Sequence, residues 1–112
     1  MYDLCDKLGL YVQCEANVES HGMFYGHRSL AYPPSWAQSH AERGVRMVET
    51  FANQPCIVMW SLGNEAGNGN VFASERQRAH EIDSTRYVHY EGDNNNADVT
   101  SQMYWGYDYI AG

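Results

Sequence analysis

The sequence has few basic residues, few cysteines and no long apolar run. Lys and Arg number 7 against 14 Asp and Glu, which gives a formal net charge of -7. Nucleic-acid binding draws most of its affinity from Lys and Arg, so this balance argues against nucleic acid as a partner. Neutral ligands impose no such charge requirement, and the composition permits them without indicating one.

The cysteines are odd in number and widely spaced, so they predict neither a disulfide framework nor a CxxC metal site. We expect reduced, buried thiols, because free Cys packs as a small hydrophobic residue. The first twenty residues carry several charges, which is atypical of a signal peptide. The apolar run Ile57 to Trp60 is far too short to span a membrane. We therefore expect a soluble, cytoplasmic protein with no membrane partner.

Four segments are predicted to be β-strands. Leu8 to Cys14 and Cys56 to Ser61 are nearly continuous apolar runs, which are typical of strands buried on both faces. Tyr87 to Tyr90 and Val99 to Tyr104 are shorter and more mixed.

Two helices are predicted between these strands. Ser35 and Gln38 form a capping-box pattern ahead of apolar residues at helical spacing over 36–52. A second helix is predicted from about Val71 to Ile82. Strands that alternate with helices indicate the α/β class, with a parallel sheet and right-handed crossovers. Four strands and two helices leave sheet edges and one face uncovered, so the chain is predicted to be part of a larger domain.

Polar side chains follow the predicted strands where each strand ends. Glu19 and His21 follow the first strand, Asn64 and Glu65 follow the second, and Tyr104 ends the fourth. In parallel α/β barrels the active-site residues lie at the carboxyl ends of the strands. Cleavage of a glycosidic bond needs a carboxylic acid that protonates the leaving oxygen, and an aromatic floor suits the apolar face of a sugar. The pattern therefore suits a sugar-cleaving pocket.

Other ligand motifs fit poorly. The glycines around Glu65 are not followed by the Lys-Ser/Thr pair of a P-loop, and no HExxH zinc motif is present. Asp93 to Asp98 resembles a calcium loop only in part, because Ala97 and Asp98 occupy the places of a ligand and an obligatory Gly.

Three strings give a specific resemblance. In this order and spacing, the sequence resembles the β-galactosidases of glycoside hydrolase family 2 at Tyr11 to Met23 (YVQCEANVESHGM), Met59 to Gly69 (MWSLGNEAGNG) and Val88 to Gly92 (VHYEG). The resemblance implies that residues 1–112 are part of the catalytic domain, a (β/α)8 TIM barrel, and supply its strands three to six. It also implies a retaining enzyme that cleaves terminal β-D-galactosides and whose complete form is a homo-oligomer.

The resemblance implies roles for individual residues. Glu65 matches the general acid/base, and Asn64 matches the residue that binds the sugar 2-hydroxyl. Tyr104 matches the tyrosine that supports the nucleophile. Trp105, an aromatic residue beside it, is a candidate for stacking on a sugar ring. Glu19, His21 and Glu65 match the ligands of an active-site Mg²⁺, although this cation prefers oxygen ligands and one imidazole among carboxylates is not ideal for it.

The sequence also departs from the family. One departure is at Gln13-Cys14, where an acidic residue commonly precedes the glutamate, and another is at Gln54, where a histidine is usual before the proline. The family's nucleophilic glutamate follows the seventh strand and is not encoded here, so we expect the isolated chain to be inactive. Glu91 also follows a strand, but a loop carboxylate near the pocket rim is the simpler interpretation. Two alternatives stay open: another family 2 activity, such as β-glucuronidase or β-mannosidase, and a non-catalytic carbohydrate-binding remnant.

Overall fold

Three parallel strands form the centre of the molecule. The structure is a computed structural model that describes residues 1–23 and 26–112. The strands lie side by side in chain order, and both neighbouring pairs are parallel. Each crossover contains a helix, as the sequence predicts. In chain order the elements are α1 (Tyr2–Leu8), β1 (Val12–Glu15), α2 (Pro34–Phe51), β2 (Ile57–Ser61), α3 (Val71–Ile82), β3 (Tyr87–His89) and α4 (Tyr107–Ala111), with short 3-10 turns at His21–Met23, Gly26–Arg28 and Asn94–Asn96.

The strand register divides the sheet into two unlike faces. Cys14 pairs with Trp60, which in turn pairs with Val88. All three side chains are buried in one core with apolar residues of α2 and α3. Side chains alternate along a strand, so their neighbours point to the opposite face, where Gln13 and Tyr87 are exposed. One face of the sheet therefore carries the core, and the other carries polar side chains.

Helix α2 begins differently from the prediction. Its N-cap is Pro33 and its first residue is Pro34, where the missing N–H of proline removes no helical hydrogen bond. No side chain caps this end, so the predicted capping box is wrong. The Nε2 amide of Gln38 instead donates to Oε1 of Glu42 at 2.8 Å, one turn further along the helix. The predicted spans of α2 and α3 are otherwise confirmed.

The first strand is shorter than predicted, and a helix precedes it. Leu8 ends α1, and Gly9 follows in the left-handed region with φ 70° and donates its N–H to the Cys5 carbonyl. Glycine reaches this conformation without a Cβ clash, so it ends the helix. The sequence pattern predicted neither α1 nor α4.

The predicted fourth strand, Val99 to Tyr104, does not form. The backbone N–H of Val88 on β3 donates to Oδ2 of Asp98 at 2.7 Å, and the Asp98 N–H donates to the Val88 carbonyl at 2.7 Å. A side chain thus takes the hydrogen bond that a neighbouring strand would have made at this edge. Arg76 and His80 of α3 also bind the Asp98 carboxylate, which attaches the residue before this segment to the helix. In the described ranges, no helix is long and apolar enough to cross a membrane.

Candidate active site

The loops that follow β1 and β2 are joined through their backbones. The Asn64 N–H donates to the Val18 carbonyl at 2.9 Å, and Glu19 forms an isolated parallel bridge with Asn64. Gly63 makes this approach possible, because a Cβ at that position would lie 2.5 Å from the Val18 oxygen. Its φ of +149° is also one that other residues rarely adopt. The two loops therefore meet at the carboxyl end of the sheet.

Glu65 lies where these loops meet. It is one of two non-glycine residues in the described chain with positive φ, at 45°. Its backbone N–H donates to Oε1 of Glu91 at 2.9 Å. Its side chain is 18% exposed, and its Oε2 lies 3.2 Å from Nδ1 of His21, which is 56% exposed. The carboxylate is therefore largely buried but lies beside a solvent-accessible imidazole.

The residues that follow Glu65 are held through their carbonyl groups. The hydroxyl of Ser29, which is fully buried, donates to the Ala66 carbonyl at 2.7 Å. The hydroxyl of Tyr90, also fully buried, donates to the Gly67 carbonyl. These bonds fix the loop from two sides, because Ser29 precedes α2 and Tyr90 follows β3.

A row of polar side chains crosses the open face of the sheet at this end. The Ser61 hydroxyl donates to Oε2 of Glu15 at 2.8 Å, and Nδ1 of His89 lies 3.1 Å from the same hydroxyl. Nε2 of His89 lies 2.7 Å from the Ser101 hydroxyl. Burial lowers the pKa of His89, against the opposing charges of Glu15 and Glu91. The row connects all three strands with the segment that replaces the predicted fourth strand.

The predicted site residues are only partly assembled. His21 and Glu65 are in contact, and the backbone of Glu19 pairs with Asn64 beside them. No group of three His, Cys, Asp or Glu side chains that could hold a metal ion occurs within residues 1–23 and 26–112. The magnesium site therefore stays a prediction.

The two aromatic candidates differ in their surroundings. Tyr104 is 92% exposed and has φ 58°, so it packs on little of this chain. The Trp105 ring packs edge-on against Tyr109 with the ring centroids 3.8 Å apart. Their proposed contacts with substrate also stay predictions.

Sequence reasoning missed the residues that hold the Glu65 loop. Tyr90 and Glu91 lie within the VHYEG string, but the sequence assigned no role to Tyr90 and described Glu91 only as a loop carboxylate, and Ser29 carried no motif. The one signal was that Tyr90 and Glu91 follow a strand adjacent to the one that ends before Glu65.

Parallel strands joined by helices, with a largely buried carboxylate just beyond the carboxyl end of the middle strand, are features of an α/β barrel domain, whose active sites lie at this end. Residues 1–110 match the family described as glycosyl hydrolases family 2, TIM barrel domain, and the chain belongs to this family. It is 46% identical over 106 residues to a beta-galactosidase of Pectobacterium atrosepticum, covering 92% of this chain and 10% of that protein. It is 42% identical to a beta-galactosidase of Vibrio cholerae, with the same coverage. The chain thus spans about a tenth of the length of these curated relatives.

Solved structures agree on the fold. An FMN-binding beta-glucuronidase from Faecalibacterium prausnitzii L2-6 superposes with a TM-score of 0.74 at 20% identity, over 93% of this chain and 17% of that one. A beta-glucuronidase of Bifidobacterium dentium superposes with a TM-score of 0.60 at 26% identity, over 88% of this chain and 17% of that one. The predicted TIM-barrel fragment is confirmed, with three strands described where four were expected.

Proposed function

We propose that this chain is the central part of the catalytic barrel of a retaining β-galactosidase, with Glu65 as its general acid/base. The observation that carries the proposal is the position of Glu65, a largely buried carboxylate at the carboxyl end of β2. Two relatives at 42 and 46% identity are named beta-galactosidases, which supports the galactoside over other sugars.

In the proposed reaction, Glu65 protonates the leaving glycosidic oxygen while a second carboxylate attacks the anomeric carbon. The two carboxyls of a retaining enzyme lie about 5–5.5 Å apart, one on each side of the bond. Glu65 then removes a proton from the water that hydrolyses the glycosyl-enzyme. Asn64, held to Val18 by its backbone N–H, is proposed to bind the 2-hydroxyl, a contact that strengthens in the transition state. Tyr104 is proposed to support the nucleophile, and Trp105 to stack on a sugar ring.

We also propose Mg²⁺ as a cofactor, held by Glu19, His21 and Glu65. The donor types fit a hard divalent cation that retains several waters, since two of the three donors are carboxylates. The 3.2 Å contact of His21 with Glu65 brings two of these donors together. Bound there, the cation would supply positive charge beside the acid/base. A homo-oligomeric complete enzyme in the cytoplasm is the proposed assembly and location.

The second candidate is a family 2 β-glucuronidase. The structural neighbours with TM-scores of 0.60 and 0.74 carry that name, although their identity to this chain is only 20–26%. β-Mannosidase and a carbohydrate-binding remnant without activity are weaker alternatives, because the relatives and structural neighbours named above are described as beta-galactosidases or beta-glucuronidases.

A panel of nitrophenyl glycosides separates these candidates. We expect the full-length protein that contains these residues to have its highest kcat/KM with the β-galactoside. If kcat/KM were highest with the β-glucuronide, the protein would be a β-glucuronidase, the second candidate. Binding of galactose without hydrolysis of any glycoside would support the remnant.

A further inference from the structure

A second carboxylate holds the backbone of the proposed acid/base. Oε1 of Glu91 accepts the N–H of Glu65 at 2.9 Å. We propose that Glu91 is a positioning residue that fixes the proton donor of Glu65, and this rests on the function proposed above. In this role Glu91 acts through the backbone of Glu65 and has no contact with the substrate in the proposed mechanism.

The backbone of Glu65 needs such a partner. A non-glycine residue at φ 45° is in the left-handed region, where the Cβ of an L-residue is crowded and the conformation costs about 1 kcal/mol or more. The residue persists there only when its surroundings fix it. A hydrogen bond to an ionised carboxylate is about twice as strong as one between neutral groups, so Glu91 is well suited to hold this N–H.

The bond belongs to a two-point attachment. Tyr90 and Glu91 are adjacent and follow β3, and they bind the loop at the Gly67 carbonyl and at the Glu65 N–H. These two contacts lie on either side of Ala66, whose own carbonyl accepts from Ser29. The loop that carries Glu65 is thus tied directly to the neighbouring strand of the sheet. A displacement of about 1 Å in a catalytic group can cost 10²-fold in rate, so this attachment bears on proton transfer.

The same contact argues against Glu91 as the nucleophile. One oxygen of Glu91 accepts the backbone N–H of Glu65, so Glu91 lies on the side of the acid/base. A nucleophile must approach the anomeric carbon from the opposite face of the sugar. Glu91 therefore acts on the reaction through Glu65.

The test uses the full-length protein and a series of aryl β-galactosides whose phenols differ in acidity. Glu91→Gln keeps an oxygen that can accept the Glu65 N–H, while Glu91→Ala removes it. We expect Glu91→Ala to lose roughly 10–100-fold in kcat on poor leaving groups, less on activated ones, with little change in KM. Glu91→Gln should lose clearly less activity than Glu91→Ala, because its amide oxygen still accepts the Glu65 N–H, although through a weaker neutral hydrogen bond. Added azide should partly restore the turnover of an activated substrate by Glu91→Ala. Azide can attack the glycosyl-enzyme in place of water, and unlike water it does not need Glu65 as a base.

The controls are Glu65→Gln and Glu49→Ala, the latter on an exposed position of α2. Equal losses of kcat by Glu91→Ala on all leaving groups, or losses by Glu91→Gln as large as those by Glu91→Ala, would overturn the positioning role. If Glu91→Ala does not fold, Glu91→Met keeps the length of the side chain without an oxygen acceptor, and the same expectations apply to it. A Glu65→Gln control without leaving-group dependence would instead refute the proposed function, and the positioning role with it.

Discussion

Nδ1 of His21 lies 3.2 Å from Oε2 of Glu65, although the two residues come from loops that follow different strands. The contact depends on the backbone junction of Gly63, Asn64 and Val18 just behind it. It orients one oxygen of the Glu65 carboxylate toward the imidazole. The catalytic proposals therefore depend on a junction that can be tested by substitution.

Glu65→Gln in the full-length protein removes the proposed proton donor while it keeps the size of the side chain. We expect kcat/KM to fall about 10²–10⁴-fold for galactosides with poor leaving groups, because those need the proton most. The fall should be smaller for a dinitrophenyl galactoside. Steady-state kinetics over the substrate series measures this, and a uniform loss on every substrate would contradict the role.

Gly63→Ala should displace the Glu65 loop. The new Cβ would lie 2.5 Å from the Val18 carbonyl oxygen, at a φ of +149°. Strain of this kind costs about 1–3 kcal/mol, so we expect a lower melting temperature and a large loss of kcat. Gly106→Ala is the matched control, because nothing lies within 4 Å of its Cβ position. Similar melting temperatures and activities for both variants would show that the junction tolerates a side chain.

Glu75 should make stability depend on pH. It is 1% exposed between α3 and α2, and burial raises its pKa to about 8 from an ordinary 4.5. The folded chain therefore keeps a proton that the unfolded chain releases between these values. The contribution of Glu75 to stability accordingly falls as pH rises from about 4.5 to about 8, and is constant above.

Glu75→Leu should remove this dependence. At pH 7 the raised pKa of Glu75 lowers the free energy of unfolding by roughly 3 kcal/mol. Glu75→Leu removes this penalty, so the variant should be more stable than wild type at pH 7 and should gain less stability near pH 4.5. Thermal unfolding of the full-length protein over pH 4.5–9 measures the difference in stability. Glu49→Leu, at an exposed position of α2, is the control. If the difference in stability between wild type and Glu75→Leu were the same at all pH values, Glu75 would not be protonated in the folded chain.

Residues 1–112 alone should hydrolyse no β-galactoside at a measurable rate. The retaining mechanism divides the reaction between an acid/base and a nucleophile, and of these two carboxyls only the acid/base, Glu65, is proposed to lie within residues 1–112. The purified chain is assayed with an aryl β-galactoside beside its Glu65→Gln variant. Turnover that this substitution abolishes would show that a second carboxylate within the chain completes the pair.

The order and type of the main elements were predictable from the sequence because they depend on local patterns. Apolar runs predicted the strands β1 and β2. The helical spacing of apolar residues predicted α2 and α3, with both ends of each helix correct to within two residues. The loop with Asn64 and Glu65 was placed correctly after β2, since the ends of parallel strands share one edge.

Contacts between distant residues decided the rest. Asp98 accepts the Val88 N–H at the edge of β3 where a fourth strand was expected, and no local pattern in the sequence indicates this acceptor. Glu91 binds the Glu65 N–H for the same kind of reason. A hydrogen bond between residues far apart in sequence exists only once the sheet has brought their strands together. The sequence by itself therefore determined the family, the alternation of strands and helices and the identity of the acid/base candidate, while only the tertiary structure decided which side chains hold it in place.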